Sequence, residues 1–169
     1  MIEGRLYHVG VAVHDVDRTI EQYRKLLGIE RWAITGSSYD ADWRGARSRV
    51  EARVAFAPWG PLYLELVEGG TGGNPARDWL DTHGEGVHHV GYAGDTRQRP
   101  DGSPACFTVL DNPLADGSPM AVYLDTVDRL GYYVELVDQD RATQLCSWVD
   151  ATTATGGQPA PGDHELREG

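Results

Sequence analysis

Hydrophobic positions along the first half of the chain alternate, shift to a helical period, and then alternate again. RLYHVGVAV (residues 5–13) has the two-residue repeat of a half-buried strand. In DVDRTIEQYRKLLG the period changes. Asp15 stands as an N-cap, Ile20, Tyr23, Leu26 and Leu27 recur at helical spacing, and Gly28 is placed to end the helix. IERWAIT, SRVEARVAFA and PLYLELVE follow as three strands, the last two joined by the turn signal PWGP. A glycine-rich stretch, GGTGGNPARDWLDTHGEG, then interrupts the pattern and carries a short helix over Pro75 to Thr82. Beyond it VHHVGYA, MAVYLDT and YYVELVD read as strands. RQRPDGSPACFTVLDNPLADGSP contains too much Pro and Gly for more than a short helix or strand.

The two halves repeat one another. LYHVGVAVHD (6–15) lies over VHHVGYAGDT (87–96), which matches His8 with His89, Gly10 with Gly91 and Ala12 with Ala93. LYLELVEG (62–69) lies over YYVELVDQ (132–139), which aligns Tyr63 with Tyr133 and Glu65 with Glu135. The chain therefore divides into a first module (1–70), a linker with its helix (71–84), a second module (85–150) and an irregular tail (151–169), all within one domain. His88 takes the register of Tyr7, so simple alternation turns it to the other face of its strand, toward the linker helix or water.

Each half thus supplies one histidine and one glutamate from apolar strands. Burying four such groups costs several kcal/mol unless they are hydrogen-bonded, paired or bound to a cation. One divalent ion held by His8, Glu65, His89 and Glu135 satisfies all four. Imidazole and carboxylate together suit Zn, Ni, Co, Mn or Fe, and the absence of thiolate removes any preference for soft ions. An octahedral ion with four protein donors keeps two positions for substrate oxygens, and Glu135 or Glu65 stands ready to take a proton from carbon. Tyr63 and Tyr133 share the face of their glutamates, Tyr123 is placed to do so from MAVYLDT, and Trp43 falls in a loop able to cover the opening; all four are candidate substrate contacts.

The net charge of −11, with no basic cluster to offset it, argues against nucleic acid or an anionic membrane as partner. No segment approaches a membrane span or has the layout of a signal peptide, so a cytoplasmic location is expected. Cys106 and Cys146 read as reduced core thiols without a role.

The ligand pattern His8, Glu65, His89 and Glu135 resembles that of the vicinal oxygen chelate superfamily, which includes glyoxalases, bleomycin-resistance proteins and extradiol dioxygenases. The segment LELVEGGTGGNPARDWLDTHGEGVHHVGY is most similar to methylmalonyl-CoA epimerase-like members. The resemblance covers about residues 5–139. It implies an α+β fold in which paired βαβββ modules form a cup-shaped mixed sheet around a metal site. It also implies a homodimer acting on a small molecule, and an isomerase or epimerase that works next to a carbonyl through a metal-stabilised enolate. A glyoxalase-type lyase, a ring-cleaving dioxygenase and a metal-free sequestering protein are the alternatives, in that order. In the epimerases a second acid precedes a QGV segment ahead of the hairpin; here that region reads RGARSRVEARVAF, with Glu51 as the nearest carboxylate.

Overall fold

The computed structural model describes residues 1–155. β1 (Gly4–Val13) leads into α1 (Val16–Leu27), capped by the Asp15 carboxylate at one end and by Gly28 in the left-handed conformation at the other. β2 (Ala33–Trp43), β3 (Ala46–Trp59) and β4 (Leu62–Glu68) complete the first module, and α2 (Pro75–His83) follows, capped by Asn74. The second module contains β5 (Gly86–Gly94), β6 (Ala105–Val109), β7 (Ala121–Leu124), a single helical turn α3 (Val127–Leu130) and β8 (Tyr133–Val137). Where the first module has α1, the second has only a 3-10 turn at Pro100–Gly102, in keeping with its prolines and glycines.

The strands close into a barrel in the order β1-β4-β3-β2-β6-β7-β8-β5. Within it the modules mirror one another: β1 runs parallel to β4, with His8 opposite Tyr63 and Gly10 opposite Glu65, and β5 runs parallel to β8, with His89 opposite Tyr133 and Gly91 opposite Glu135. β2 is longer than its apolar pattern indicates. Its polar stretch GSSYDADW pairs along β3, and its end pairs with β6 from Ala41 to Trp43, which closes the sheet.

The two faces of the first module are filled differently. Val11, Val13, Leu64 and Leu66 pack outward with Val16 of α1, whereas Val54, Phe56, Tyr63 and Val67 pack with α4 (Gln139–Ala154). The sequence reading contains no counterpart of α4. Two of its first donors are served by the Asp138 carboxylate, which accepts from the Asp140 and Arg141 amides, and Ala142, Leu145, Cys146 and Val149 supply an apolar stripe at helical spacing. The irregular tail therefore does not begin at residue 151: residues 151–154 form the last turn of α4, and 156–169 lie outside the described residues.

α2 and α4 exchange sides. α2, which follows the first module, covers Tyr133 of the second, whose hydroxyl donates to Asp78 at 2.8 Å. α4, which follows the second module, covers Tyr63 of the first, whose hydroxyl donates to Asp150 at 2.9 Å. No helix among the described residues is long and apolar enough to cross a membrane.

Candidate metal centre and its cavity

The register of β1 against β5 slips twice. Leu6 pairs with Tyr92 and His8 with Gly91, so Tyr7 is the extra residue of a bulge; Gly10 pairs with His89 and Val11 with Val87, so His88 is the extra residue of another. A bulge sets two residues of one strand against one of its partner and breaks the alternation of faces. As a result Tyr7 is buried beside His8, and His88 is buried beside His89. Of the two surroundings expected for His88, water is excluded by its burial, and the residue lines the central cavity together with the start of α2, the linker helix.

His8, Glu65, His89 and Glu135 converge from β1, β4, β5 and β8, with one donor atom of each lying within 4.8 Å of all the others. The two Nε2 atoms are 2.7 Å apart. His8 Nε2 lies 3.3 Å from Glu65 and 3.0 Å from Glu135, and His89 Nε2 lies 3.0 Å and 3.6 Å from the same carboxylates. Metal–ligand bonds of about 2.0–2.2 Å place adjacent donors roughly 3 Å apart, so the four atoms have the spacing of a coordination shell. The donor set and its spacing fit one divalent ion. Room for the imidazoles comes from the other half of the repeat: a Cβ on Gly10 would meet His89 Cε1 at 1.9 Å, and one on Gly91 would meet His8 Cε1 at 2.0 Å. The sequence repeat aligned these glycines without revealing that role.

Electrostatics separate the two histidines. Burial works against charging His8, but hydrogen bonds and charge from Glu135 and Glu65 outweigh it and raise its pKa to about 9. His89, fully buried, is lowered to about 3, with the Glu135 charge opposing the shift and His8 adding to it. Without a metal the cluster therefore holds a proton on His8 at neutral pH. Burial also drives His88 well below the ordinary imidazole value, reinforced by His89, so that it is neutral.

A cavity of about 100 Å³ adjoins Glu65 and Glu135. Val50, Ala52, Val54, Phe107 and Val109 form its apolar walls, and the start of α2 at Asn74–Ala76 closes one side. Its hydroxyl groups come from Ser37, Tyr39 and Tyr123. Burial, and then the charges of Glu135 and Glu65, raise both tyrosines above the ordinary phenol value, so they are hydrogen-bond donors at neutral pH.

Of the four aromatic residues expected as substrate contacts, only Tyr123 lines this cavity. Tyr63 and Tyr133 do share the faces of their glutamates, but their hydroxyls are tied to Asp150 and Asp78 beneath α4 and α2. Trp43 ends β2 rather than occupying a loop, and packs edge-on to Phe107 against Gly73, where a side chain would strike its ring. Tyr39 was not among the expected contacts. It sits in the polar stretch GSSYDADW, and only the extended course of β2 brings it to the cavity. Glu51 is exposed on β3, between the cavity-lining Val50 and Ala52. It therefore supplies no carboxylate to the cavity.

A family model described as "Glyoxalase/Bleomycin resistance protein/Dioxygenase superfamily" matches residues 7–101. Uncharacterized protein YqjC of Bacillus subtilis (strain 168) is 28% identical over 89 residues, which cover 53% of this chain and 56% of that protein; the chain thus spans about half the length of this curated relative. A hypothetical protein of Bacillus halodurans C-125 has a similar solved structure, at 18% identity and a TM-score of 0.49, covering 81% of this chain and 95% of that one. A variant of Streptomyces coelicolor methylmalonyl-CoA epimerase in complex with 2-nitronate-propionyl-CoA is 26% identical with a TM-score of 0.45, covering 80% and 96% of the two chains. With the family model matching more than half of its residues, the chain belongs to the glyoxalase/bleomycin resistance protein/dioxygenase superfamily.

Proposed function

We propose that this protein is a metal-dependent isomerase or epimerase that moves a proton at a carbon next to a carbonyl of a small substrate. The convergence of His8, Glu65, His89 and Glu135 beside a partly open cavity carries the reading. These four residues would hold the ion. When bound, a divalent ion supplies Lewis-acid polarisation of a carbonyl oxygen. Glu135 borders both the donor cluster and the cavity, which suits it to accept the proton from carbon and return it. Glu65, its counterpart in the repeat, borders the same cavity and is the second carboxylate within reach, since Glu51 is exposed on the other face of β3.

The tyrosines complete the chemistry. Tyr39 and Tyr123 offer O–H donors where negative charge develops on oxygen. The cavity measures about 100 Å³ and is partly open. This favours a small oxygenated substrate, or only the reacting end of a larger one.

The test is proton exchange. Metal-loaded protein is incubated anaerobically in D2O with short 2-hydroxy ketones and 2-substituted acyl thioesters, and loss of the alpha-proton signal is followed by NMR. Exchange on an accepted substrate is the expected result. Turnover that requires O2, without exchange at the alpha carbon, would overturn the reading in favour of a dioxygenase.

A further inference from the structure

Strand alternation sorts the charges around the cavity. Val50, Ala52 and Val54 of β3 face inward, which turns Arg47, Arg49 and Arg53 to the outer surface. There each is paired: Arg47 and Arg49 with Asp40, and Arg53 with both carboxylate oxygens of Asp17, at 2.6 and 2.8 Å. Arg44, in the turn between β2 and β3, is held by Asp125 at 2.7 Å. Among the described residues no lysine or arginine lines the cavity. Inside it the full charges are those of Glu65 and Glu135, since burial keeps His88 neutral. One divalent ion held by these two glutamates and two neutral imidazoles brings the site to zero net charge. A substrate that arrives uncharged and loses a proton from carbon then adds a single negative charge, within reach of the Tyr39 and Tyr123 hydroxyls. A phosphate or carboxylate on the substrate adds further negative charge, with no cation to receive it and a chain of net charge −11 around it.

We propose that the cavity selects an uncharged, oxygen-bearing small molecule of the hydroxy-ketone class and rejects substrates carried on an anionic group, such as a phosphate ester or a coenzyme A thioester. This assignment names the substrate class of the isomerase reading and rests on it. Selection comes from the placement of charge: the β2–β3 hairpin spends its guanidinium groups on surface carboxylates and presents only hydroxyl and apolar groups inward, from Ser37, Tyr39, Val50, Ala52 and Val54.

The experiment is calorimetric titration of the Zn(II)-loaded protein with three hydroxamates that share one two-oxygen chelating end: glycolohydroxamate, phosphoglycolohydroxamate and tert-butoxyacetohydroxamate. The last matches the phosphate in bulk without its charge. Zn(II) content is measured after each titration, so that removal of the ion is not read as binding. Glycolohydroxamate and the tert-butoxy compound are expected to bind comparably, and phosphoglycolohydroxamate at least about tenfold more weakly, as an uncompensated like charge requires. Ser37→Arg, which sets a guanidinium on the cavity wall, should shift the preference toward the phosphorylated compound, with its folding checked by near-UV circular dichroism. Equal or tighter binding of phosphoglycolohydroxamate to wild-type protein would overturn the proposal. A tert-butoxy compound as weak as the phosphate would overturn it too, by making size the determinant, as would unchanged discrimination in a folded Ser37→Arg protein. If Ser37→Arg does not fold, the wild-type series decides. Failure of all three compounds to bind a protein that retains Zn(II) would instead sink the isomerase reading, and failure to hold Zn(II) the metal-centre reading.

Discussion

Gly10 faces His89 across the β1–β5 ladder, and the volume a methyl group would need there is filled by the His89 ring, whose Cε1 lies 1.9 Å from the position of the missing Cβ. Gly91 stands in the same relation to His8, at 2.0 Å. Each half of the repeat thus gives up a side chain so that the histidine of the other can reach the centre. Gly10→Ala and Gly91→Ala should each displace an imidazole, lowering stability by about 1–3 kcal/mol, as overpacking of a well-packed core does, and weakening metal uptake. Denaturant unfolding of the metal-free proteins and elemental analysis of the loaded ones check this. A full metal equivalent with an unchanged unfolding midpoint in either variant would show that the rings have room elsewhere.

The four donors should act as one site. His8→Ala and Glu135→Ala come from different halves of the chain, and each removes one donor from a cluster whose members lie within 4.8 Å. Both should lose at least about tenfold in metal affinity, a larger effect than that of any surface carboxylate. Equilibrium dialysis against Mn(II), Ni(II) and Zn(II) measures it. Full metal content in both variants together would rule the site out.

How much of this centre the sequence revealed follows from what kind of signal each part leaves. His8, His89, Glu65 and Glu135 were legible because the repeat aligned them and because strand alternation placed both glutamates inward. The inward turn of His88 was not, since a bulge is a two-against-one feature of backbone pairing that leaves the residue pattern intact. Tyr39 was hidden by the polarity of GSSYDADW, a stretch made extended by its partners β3 and β6 rather than by its own propensity. α4 did leave a trace, an Asp138 cap ahead of Ala142, Leu145, Cys146 and Val149. That trace lay directly behind the end of β8, where VELVD reads as continuing strand.

Metal binding should compete with the proton on His8. Its pKa is raised from 6.5 to about 9 in the folded, metal-free protein, so the stabilisation its charge provides is complete below about pH 6.5 and is lost as the pH rises through 9. His89, lowered to about 3, stays neutral across that range. Melting temperatures of the metal-free protein should therefore fall between pH 7 and 10. Metal affinity should rise by close to a factor of ten per pH unit from 7 until it levels near 9. Calorimetry in buffers of different ionisation enthalpy should show about one proton released per ion at pH 7. Release of no proton would mean that the cluster is already deprotonated.

Tyr63 and Tyr133 should matter for stability and not for turnover. Their hydroxyls hold α4 and α2 through Asp150 and Asp78, and neither residue lines the cavity. Hydrogen bonds to charged groups contribute about 1.5–3 kcal/mol, with less expected where water competes. Tyr133→Phe, whose bond is partly buried, should therefore cost more than Tyr63→Phe, whose bond is exposed. Denaturation midpoints should drop in that order while kcat and KM for any accepted substrate stay within about twofold. A large rise in KM for Tyr63→Phe would restore it as a substrate contact.

Tyr39 and Tyr123 should show the opposite behaviour. Both line the cavity beside Glu65 and Glu135, and both are held protonated by burial and by those charges, so each presents an O–H to the cavity, where the proposed reaction would place negative charge on a substrate oxygen. Tyr39→Phe and Tyr123→Phe keep the edge-on packing of the rings against Phe107, and that of Tyr123 against His89, so folding and metal content should survive. Loss of one such donor typically lowers kcat by about 10²–10³-fold, because the bond strengthens as charge develops and is weaker in the ground state. The fall should therefore appear in kcat with little change in KM, in metal-loaded protein measured for both variants under the proton-exchange conditions. If both variants exchange the alpha proton at the wild-type rate, the hydroxyls are packing groups only, and charge stabilisation must come from the metal centre alone.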